Sequence, residues 1–306
     1  MILTVCPNPC VDCTIEIEEF KIGRLNRLDN KIENLAGKAL NSAIGITRLG
    51  AKAFATGFMF EKGGKQFTRF LLSEGIDNQF VWNKGGVRVN YKIIDGKSMM
   101  TEINDKGDKV SPQKQAELVE LVKEKAAESD IVIISGSLPR GVNDEYYYAL
   151  ATAAGKAKVV VDGEKGRLAA ALKAGVYMAK PNIDELEDFT GKKYKTYEEM
   201  VEGCRKIIDG GAENVMLSLG RRGAIFTDGK TSYFCKSENV AVNSTVGAGD
   251  SMVAAACVAT LEGADKPEIL RRAVAAGTAS ITMPGTNLFT KEKYLEILEN
   301  LQVAKL

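Results

Sequence analysis

Asn243-Ser244-Thr245-Val246-Gly247-Ala248-Gly249-Asp250-Ser251 runs straight into Met252–Ala259, an apolar stretch that reads as a buried helix. A Gly-rich entry to a helix presents backbone N–H groups that have no partner inside the helix, and the helix dipole adds positive potential there. Such an entry is a seat for a phosphate. Asp250 stands in the first turn, beside the seat. An anion hole with a base next to it is what transfer of a phosphoryl group to an alcohol needs. The plain structural alternative is that Gly and Ala allow close helix packing and Asp caps the helix.

Other loops carry residues of matching chemistry. Ala36-Gly37-Lys38-Ala39-Leu40-Asn41 opens a second helix, with Lys38 and Asn41 one turn apart on the same side. Lysine offers a point charge to a phosphate, and asparagine both donates to and accepts from sugar hydroxyls. Asp12 follows Pro7-Asn8-Pro9 at the end of the first strand, where ligands of open α/β sheets bind; its alternative is a turn aspartate. Ser135-Gly136-Ser137-Leu138-Pro139 follows a buried strand, and its glycine and serines suit close approach to a ligand. In Lys180-Pro181-Asn182-Ile183-Asp184-Glu185, Asn182 and Glu185 share a helix face. Their oxygens suit hydrated Mg²⁺ beside ATP phosphates, and the same spacing makes a capping box; both readings hold together. Ser218-Leu219-Gly220 ends a further apolar strand and offers a contact to nucleotide phosphate or ribose.

Composition narrows the chemistry. The 306 residues contain no histidine, which excludes His-based triads and the usual zinc sites and raises the weight on Asp250 as a base. Lys+Arg 41 against Asp+Glu 40 leaves a net charge of +1 with no basic block, so no nucleic-acid partner is expected. No apolar run reaches the length of a membrane span, and Met1–Pro7 is too short and too early broken for a signal peptide; a cytoplasmic protein is expected. Cys10-Val11-Asp12-Cys13 has C-x-x-C spacing, but nothing completes a metal set, and apolar filling is the expected role. There is no Walker A loop and no G-x-G-x-x-G after the first strand.

The elements that must position these loops alternate between strand and helix. Strands are expected at Met1–Cys6, Ala51–Phe58, Ile131–Ile134, Val159–Val161, Val176–Ala179 and Val215–Leu219. Helices are expected at Lys38–Leu49, Lys65–Ser73, Pro112–Ser129, Asn143–Ala154, Arg167–Lys173, Asp184–Phe189 and Tyr197–Ile208, with two or three more between Asp250 and Leu298. This rhythm predicts an α/β fold with a doubly wound, mostly parallel sheet flanked by helices. Val11–Glu18, and Val89–Ile94 with Ser98–Ile103 around Asp95-Gly96, break the rhythm and predict a small β-sheet lid. A lid excludes water, the competing acceptor. Asp228-Gly229 predicts a second hairpin. The whole chain, 1–306, reads as one domain, with lid strands at about 11–30 and 88–105.

Taken together and in this order, the motifs resemble those of the ribokinase-like sugar kinases of the phosphofructokinase-B group. The resemblance runs from Cys6-Pro7-Asn8-Pro9 through Thr101-Glu102-Ile103-Asn104 to Thr245–Ser251 and is nearest the 1-phosphofructokinase and tagatose-6-phosphate kinase branch. It implies an ATP-dependent, Mg²⁺-assisted kinase acting on a phosphorylated ketohexose. Asp250 would take the acceptor proton, and the amides of Gly247, Ala248 and Gly249 would stabilise the transferring phosphoryl group. Asp12, Gly37, Asn41 and Ser137 would hold the sugar, and Lys38 and Arg88 the phosphate it already carries. Lys180, Asn182, Ser218, Gly220 and Thr245 would serve the nucleotide, with Glu185 and Asn182 at the magnesium through water. It also implies a homodimer paired through the lids.

The first expectation for the acceptor is fructose 1-phosphate, with tagatose 6-phosphate and fructose 6-phosphate as rivals. From other classes come a non-catalytic sensor of nucleotide or sugar phosphate on the same fold, and an α/β oxidoreductase. Three stretches depart from the group's pattern. These are Ala36-Gly37-Lys38-Ala39, whose methyl groups are expected to narrow the sugar site, Asp162-Gly163-Glu164 in place of Asp-x-Ser, and Phe58–Lys62 in place of a Gly-rich loop.

Overall fold

The computed structural model describes residues 1–97, 99–283 and 287–306. The chain opens with β1 (Ile2–Cys6), β2 (Cys10–Ile17), β3 (Asn30–Ala36), α1 (Lys38–Arg48), β4 (Ala53–Lys62), α2 (Gly64–Ser73) and β5 (Asp77–Gly86). It continues through β6 (Arg88–Asp95), β7 (Met100–Asn104), α3 (Pro112–Ala126), β8 (Ile131–Ser135), α4 (Tyr146–Ala153), β9 (Lys158–Asp162), α5 (Lys165–Leu172) and β10 (Val176–Ala179). It closes with α6 (Ile183–Thr190), α7 (Tyr197–Asp209), β11 (Ala212–Ser218), β12 (Ala224–Thr227), β13 (Ser232–Cys235), α8 (Ala248–Leu261), α9 (Lys266–Ile281), α10 (Lys291–Asn300) and β14 (Val303–Lys305).

Ten strands make the main sheet, in the order β14-β13-β12-β11-β10-β9-β8-β1-β4-β5. Every pairing from β5 across to β11 is parallel, and β12 to β14 add an antiparallel edge. The apolar runs are explained by helices on both faces, as a parallel sheet requires. Side chains alternate between two cores: Ile2 and Cys6 pack toward α1, α8 and α9, while Leu3 and Val5 pack toward α3 to α7. Parallel strands all end on one side, so the loops after β1, β8, β9, β10 and β11 converge at one edge, the usual place for a ligand in such sheets.

The second sheet has four strands in the order β3-β2-β6-β7. The expected hairpin is present as the antiparallel β6–β7 pair. Ser98, where its second strand was expected to begin, lies outside the described residues. β3 was not anticipated as a strand. The segment expected as lid over 11–30 leaves strand geometry after Ile17 and resumes it at Asn30. One other reading is corrected, and one further strand was not anticipated. Phe58–Lys62 is the end of β4, and Phe58, Met59 and Phe60 are wholly buried; this departure from the group's pattern extends a strand and lines no ligand loop. β5 was missed because its burial alternates weakly and its polar residues hide the pattern.

Candidate active site

α8 begins where the sequence placed the phosphate seat. Gly247 caps it at φ 79°, a left-handed conformation that glycine adopts without strain. Three residues later Asp250 is buried, 6% exposed, although a carboxylate is seldom left so. The reason is a partner on α1: Asn41 Nδ2 donates to Asp250 Oδ2 at 2.7 Å, and Ser42 Oγ donates to the Asp250 carbonyl at 3.1 Å. α1 is brought this close by Gly37, whose φ of 155° turns the chain and where a Cβ would lie 2.8 Å from Cys6 Sγ. Burial pushes the Asp250 carboxyl up to about 6; Lys38, the Asn41 hydrogen bond and Lys180 hold it down, and Asp162 pushes it further up. At neutral pH the group is an ionised base of useful strength.

Asp162, at the end of β9, organises the cations. Lys38 Nζ meets one of its oxygens at 3.3 Å and Lys180 Nζ the other at 3.6 Å. Burial alone would raise Asp162, but Lys180 and Lys38 outweigh it and the carboxyl ends below its usual range. Asp162 raises Lys38 above the usual lysine range against the opposing effect of burial, and Asp250 and Glu185 add to the rise. The Lys38 side chain keeps 44% of its exposure, so the ammonium remains accessible to a ligand. Lys180 approaches the start of α8: its Nζ lies 3.2 Å from where a Cβ on Gly249 would sit.

Another part of the cleft is built on the four-stranded sheet. Asp12 lies inside β2, in register with Asn90 on β6, which removes its turn-aspartate alternative. Lys92 Nζ donates to Asp12 Oδ2 at 2.9 Å and Asn90 Nδ2 to Oδ1 at 3.2 Å, all three residues buried. Arg88 donates to the carbonyls of Asn8 and Asp105 and to Asn90 Oδ1. Asn8 Nδ2 donates to Ser137 Oγ at 3.1 Å, joining the loop after β1 to the loop after β8.

Asn182 and Glu185 form the capping box of α6, each side chain accepting from the other's backbone N–H at 2.8 Å. Among the described residues no group of three or more His, Cys, Asp or Glu could hold a metal. A magnesium ion here would rely on Glu185, water and phosphate oxygens, which is how that ion usually binds beside a nucleotide.

One cleft of about 980 Å³ takes in Asp12, Gly37, Lys38, Asn41, Arg88, Ser137, Lys180, Asn182, Glu185, Ser218, Thr245, Gly247, Gly249 and Asp250. Gly220 and Ala248 line an adjoining apolar pocket of about 230 Å³ that shares Ser218, Thr245 and Gly249 with the cleft. Every residue anticipated for the site therefore lies in one of two connected cavities. Ala36 lines the cleft, but Ala39 is fully buried in the core, so only one of the two methyl groups expected to narrow the sugar site borders it. The six cysteines are buried free thiols, each raised by burial; Cys10 is more than apolar filling, since it borders the cleft and its Sγ donates to Asp12 Oδ1 at 3.5 Å.

Sequence reasoning missed Lys92 and Asn90 as partners of Asp12, and it saw Asp162 only as part of an unusual turn. The available signal for Lys92 was its phase: it stands two residues from Asn90, so both share a face of β6.

A mostly parallel sheet, a lid, and a buried carboxylate at a helix N-terminus beside two lysines together define a phosphotransferase. The pfkB family carbohydrate kinase pattern matches residues 8–293, and the chain belongs to that family. It is 31% identical to the 1-phosphofructokinase of Haemophilus influenzae over 96% of this chain and 97% of that one. It is 30% identical to the 1-phosphofructokinase of Bacillus subtilis, with full coverage of both. Among solved structures, phosphofructokinase-2 from Escherichia coli in complex with potassium superposes with a TM-score of 0.90 at 29% identity, over 97% of this chain and 98% of that chain.

Proposed function

We propose that the chain uses ATP to convert fructose 1-phosphate to fructose 1,6-bisphosphate. The observation that carries this reading is the placement of Asp250. It is a buried carboxylate raised to about 6, held by Asn41 at 2.7 Å and set in the first turn of α8.

In this reading the acceptor hydroxyl gives its proton to Asp250 as its oxygen attacks the terminal phosphorus of ATP, and the bond from that phosphorus to the bridging oxygen breaks, so that ADP leaves with the electron pair. The amides at the start of α8, from Gly247, Ala248 and Gly249, receive the charge that develops on the phosphoryl oxygens. Lys180 adds positive charge at the same place, and Asp162 pairs with both Lys180 and Lys38. Asp12, Asn41 and Ser137 orient the sugar; Arg88 and Lys38 hold its phosphate. Ser218, Gly220 and Thr245 border the smaller pocket, whose apolar lining of Val242, Met252, Val274 and Ile281 suits the adenine ring. Magnesium, held at Glu185 and Asn182 through water, would offset the negative charge of the phosphates. The lid strands exclude water from the transfer.

The whole chain acts as one kinase domain. A homodimer formed through the lids is part of the reading: Ile22, Leu25, Leu28, Ile32, Tyr91 and Ile103 leave apolar surface exposed on that sheet and its connections. Six reduced thiols suit the cytoplasm. Among the described residues no helix is long and apolar enough to cross a membrane.

The neighbouring phosphofructokinase-2 has also been solved with fructose-6-phosphate, which supports a second reading with that acceptor. Turnover on fructose 1-phosphate, fructose 6-phosphate and tagatose 6-phosphate decides. The highest kcat/KM on fructose 1-phosphate is expected. Equal rates on unphosphorylated fructose or ribose would remove the phosphate-anchoring role of Lys38 and Arg88.

A further inference from the structure

Three cations that border the cleft, Lys106, Arg140 and Arg167, have no task in the reading above, and of these only Arg167 is not exposed. Arg167 stands in the first turn of α5, just after the strand end that carries Asp162. Its side chain is 13% exposed and borders the cleft together with Lys180 and Asp250. One terminal nitrogen meets Glu164 Oε2 at 2.9 Å. Its Nε is buried and has no hydrogen-bond partner. The side chain lies against the strand end because residue 163 is glycine: a Cβ there would sit 3.3 Å from Arg167 Cβ and 3.2 Å from the Tyr147 ring. Tyr147 in turn donates to the Gly136 carbonyl at 2.5 Å, so Arg167 is packed beside the loop that carries Ser137.

Glu164 is a weak anchor. Its side chain is 71% exposed and can swing into solvent. Exposed ion pairs of this kind contribute little to stability. A guanidinium, by contrast, is a planar fork of donors matched to two phosphate oxygens. Here the fork is buried at its base, has one terminal nitrogen in an ion pair with a displaceable carboxylate, and borders a cleft suited to phosphates. The Asp162-Gly163-Glu164 turn, a departure from the pattern of similar kinases, thereby acquires a purpose.

We propose that Arg167 is a phosphate-binding residue of this cleft, held at rest by Glu164 and handed to a phosphate group of a bound substrate. The assignment rests on the cleft being a phosphoryl-transfer site. β9 lies between β8, which leads to the Ser137 loop, and β10, which leads to Lys180-Pro181-Asn182. Arg167 therefore stands between the loops assigned to the sugar and to the nucleotide. The phosphate chemistry is the same on both sides, and the assay separates them.

The test is calorimetric binding without turnover. Fructose 1-phosphate alone, and a non-hydrolysable ATP analogue with Mg²⁺ alone, are titrated into wild type, Arg167→Met, Arg167→Lys and Glu164→Gln. Arg167→Met should weaken one or both ligands by about 10-fold or more, the scale of a lost charge-assisted hydrogen bond, and the larger loss names the ligand it serves. Arg167→Lys should recover part of that loss. Glu164→Gln should tighten the same ligand by roughly 2- to 5-fold, because it removes the resting competitor of that hydrogen bond. Opposite signs separate this role from a structural ion pair, whose two halves would act in one direction. An effect of Arg167→Met under about threefold on both ligands overturns the proposal, as does a Glu164→Gln protein that fails to bind the affected ligand more tightly. If Arg167→Met does not fold, Glu164→Gln decides alone, since it alters only an exposed side chain. Wild-type turnover of fructose 1-phosphate is recorded on the same preparation. Its absence would count against the proposed substrate, while binding of the ATP analogue would still judge Arg167.

Discussion

Replacing Asp250 by asparagine should make this protein more stable while disabling it. The carboxyl is raised from 3.8 to about 6, chiefly by burial. A shift of roughly 2 units corresponds to about 3 kcal/mol of preference for the neutral form in the folded state. The sign follows from proton linkage. Because the folded value lies above the unfolded one, the native protein binds the extra proton between about pH 4 and 6. Above pH 6 the native state carries the full cost of a buried anion; below pH 4 it carries none. Asparagine never ionises, fits the same space, and still accepts from Asn41 Nδ2 through its own carbonyl oxygen. Asp250→Asn should therefore exceed wild type by up to about 3 kcal/mol at pH 8, with the advantage fading to near zero by pH 4. Urea unfolding of both proteins at pH 4, 5, 6 and 8 measures this directly. Equal stability at every pH, or a less stable variant at pH 8, would refute the account of how this carboxylate is tuned.

Further outcomes follow from the same geometry. The kcat/KM of wild type should fall about tenfold between pH 7 and pH 5, because a base of pKa about 6 is mostly protonated at the lower value; a flat profile would dissociate Asp250 from the rate. Lys38→Ala should raise KM for the sugar phosphate and move that acid limb upward, since Lys38 is the main charge holding Asp250 down; unchanged KM would make it surface charge only. Lys92→Met should destabilise by about 3–5 kcal/mol in urea unfolding, because it leaves Asp12 a buried anion without its cation, and adding Asp12→Asn should restore most of the loss. A Lys92→Met protein of wild-type stability would show that Asp12 relaxes into water.

The candidate centre at the start of α8 was legible in the sequence because it is local. Gly247, Ala248, Gly249 and Asp250 are consecutive, and helix geometry alone turns them into a seat with a carboxylate beside it. Asn182 and Glu185 were legible for the same reason, their spacing fixing a capping box whatever else they do. What could not be read was the pairing between distant segments. Asp12 meets Lys92 across a parallel ladder from β2 to β6, and Lys38 meets Asp162 from the far side of the sheet edge. Neither register nor strand order is written in local spacing. β3 escaped for a related reason: four of its seven residues are exposed, so it lacks the apolar rhythm that marks a strand. The buried parallel strands were found readily because burial on both faces leaves continuous apolar runs, as in Ile131–Ser135.

The central claim is that Asp250 removes the acceptor proton while the start of α8 holds the phosphoryl group in flight. The most direct measurement is kcat of Asp250→Asn with fructose 1-phosphate and ATP, taken together with its affinity for the nucleotide. The predicted result is a loss on the order of 10²–10⁴ in kcat with nucleotide affinity kept. Near-normal kcat in that variant would contradict it.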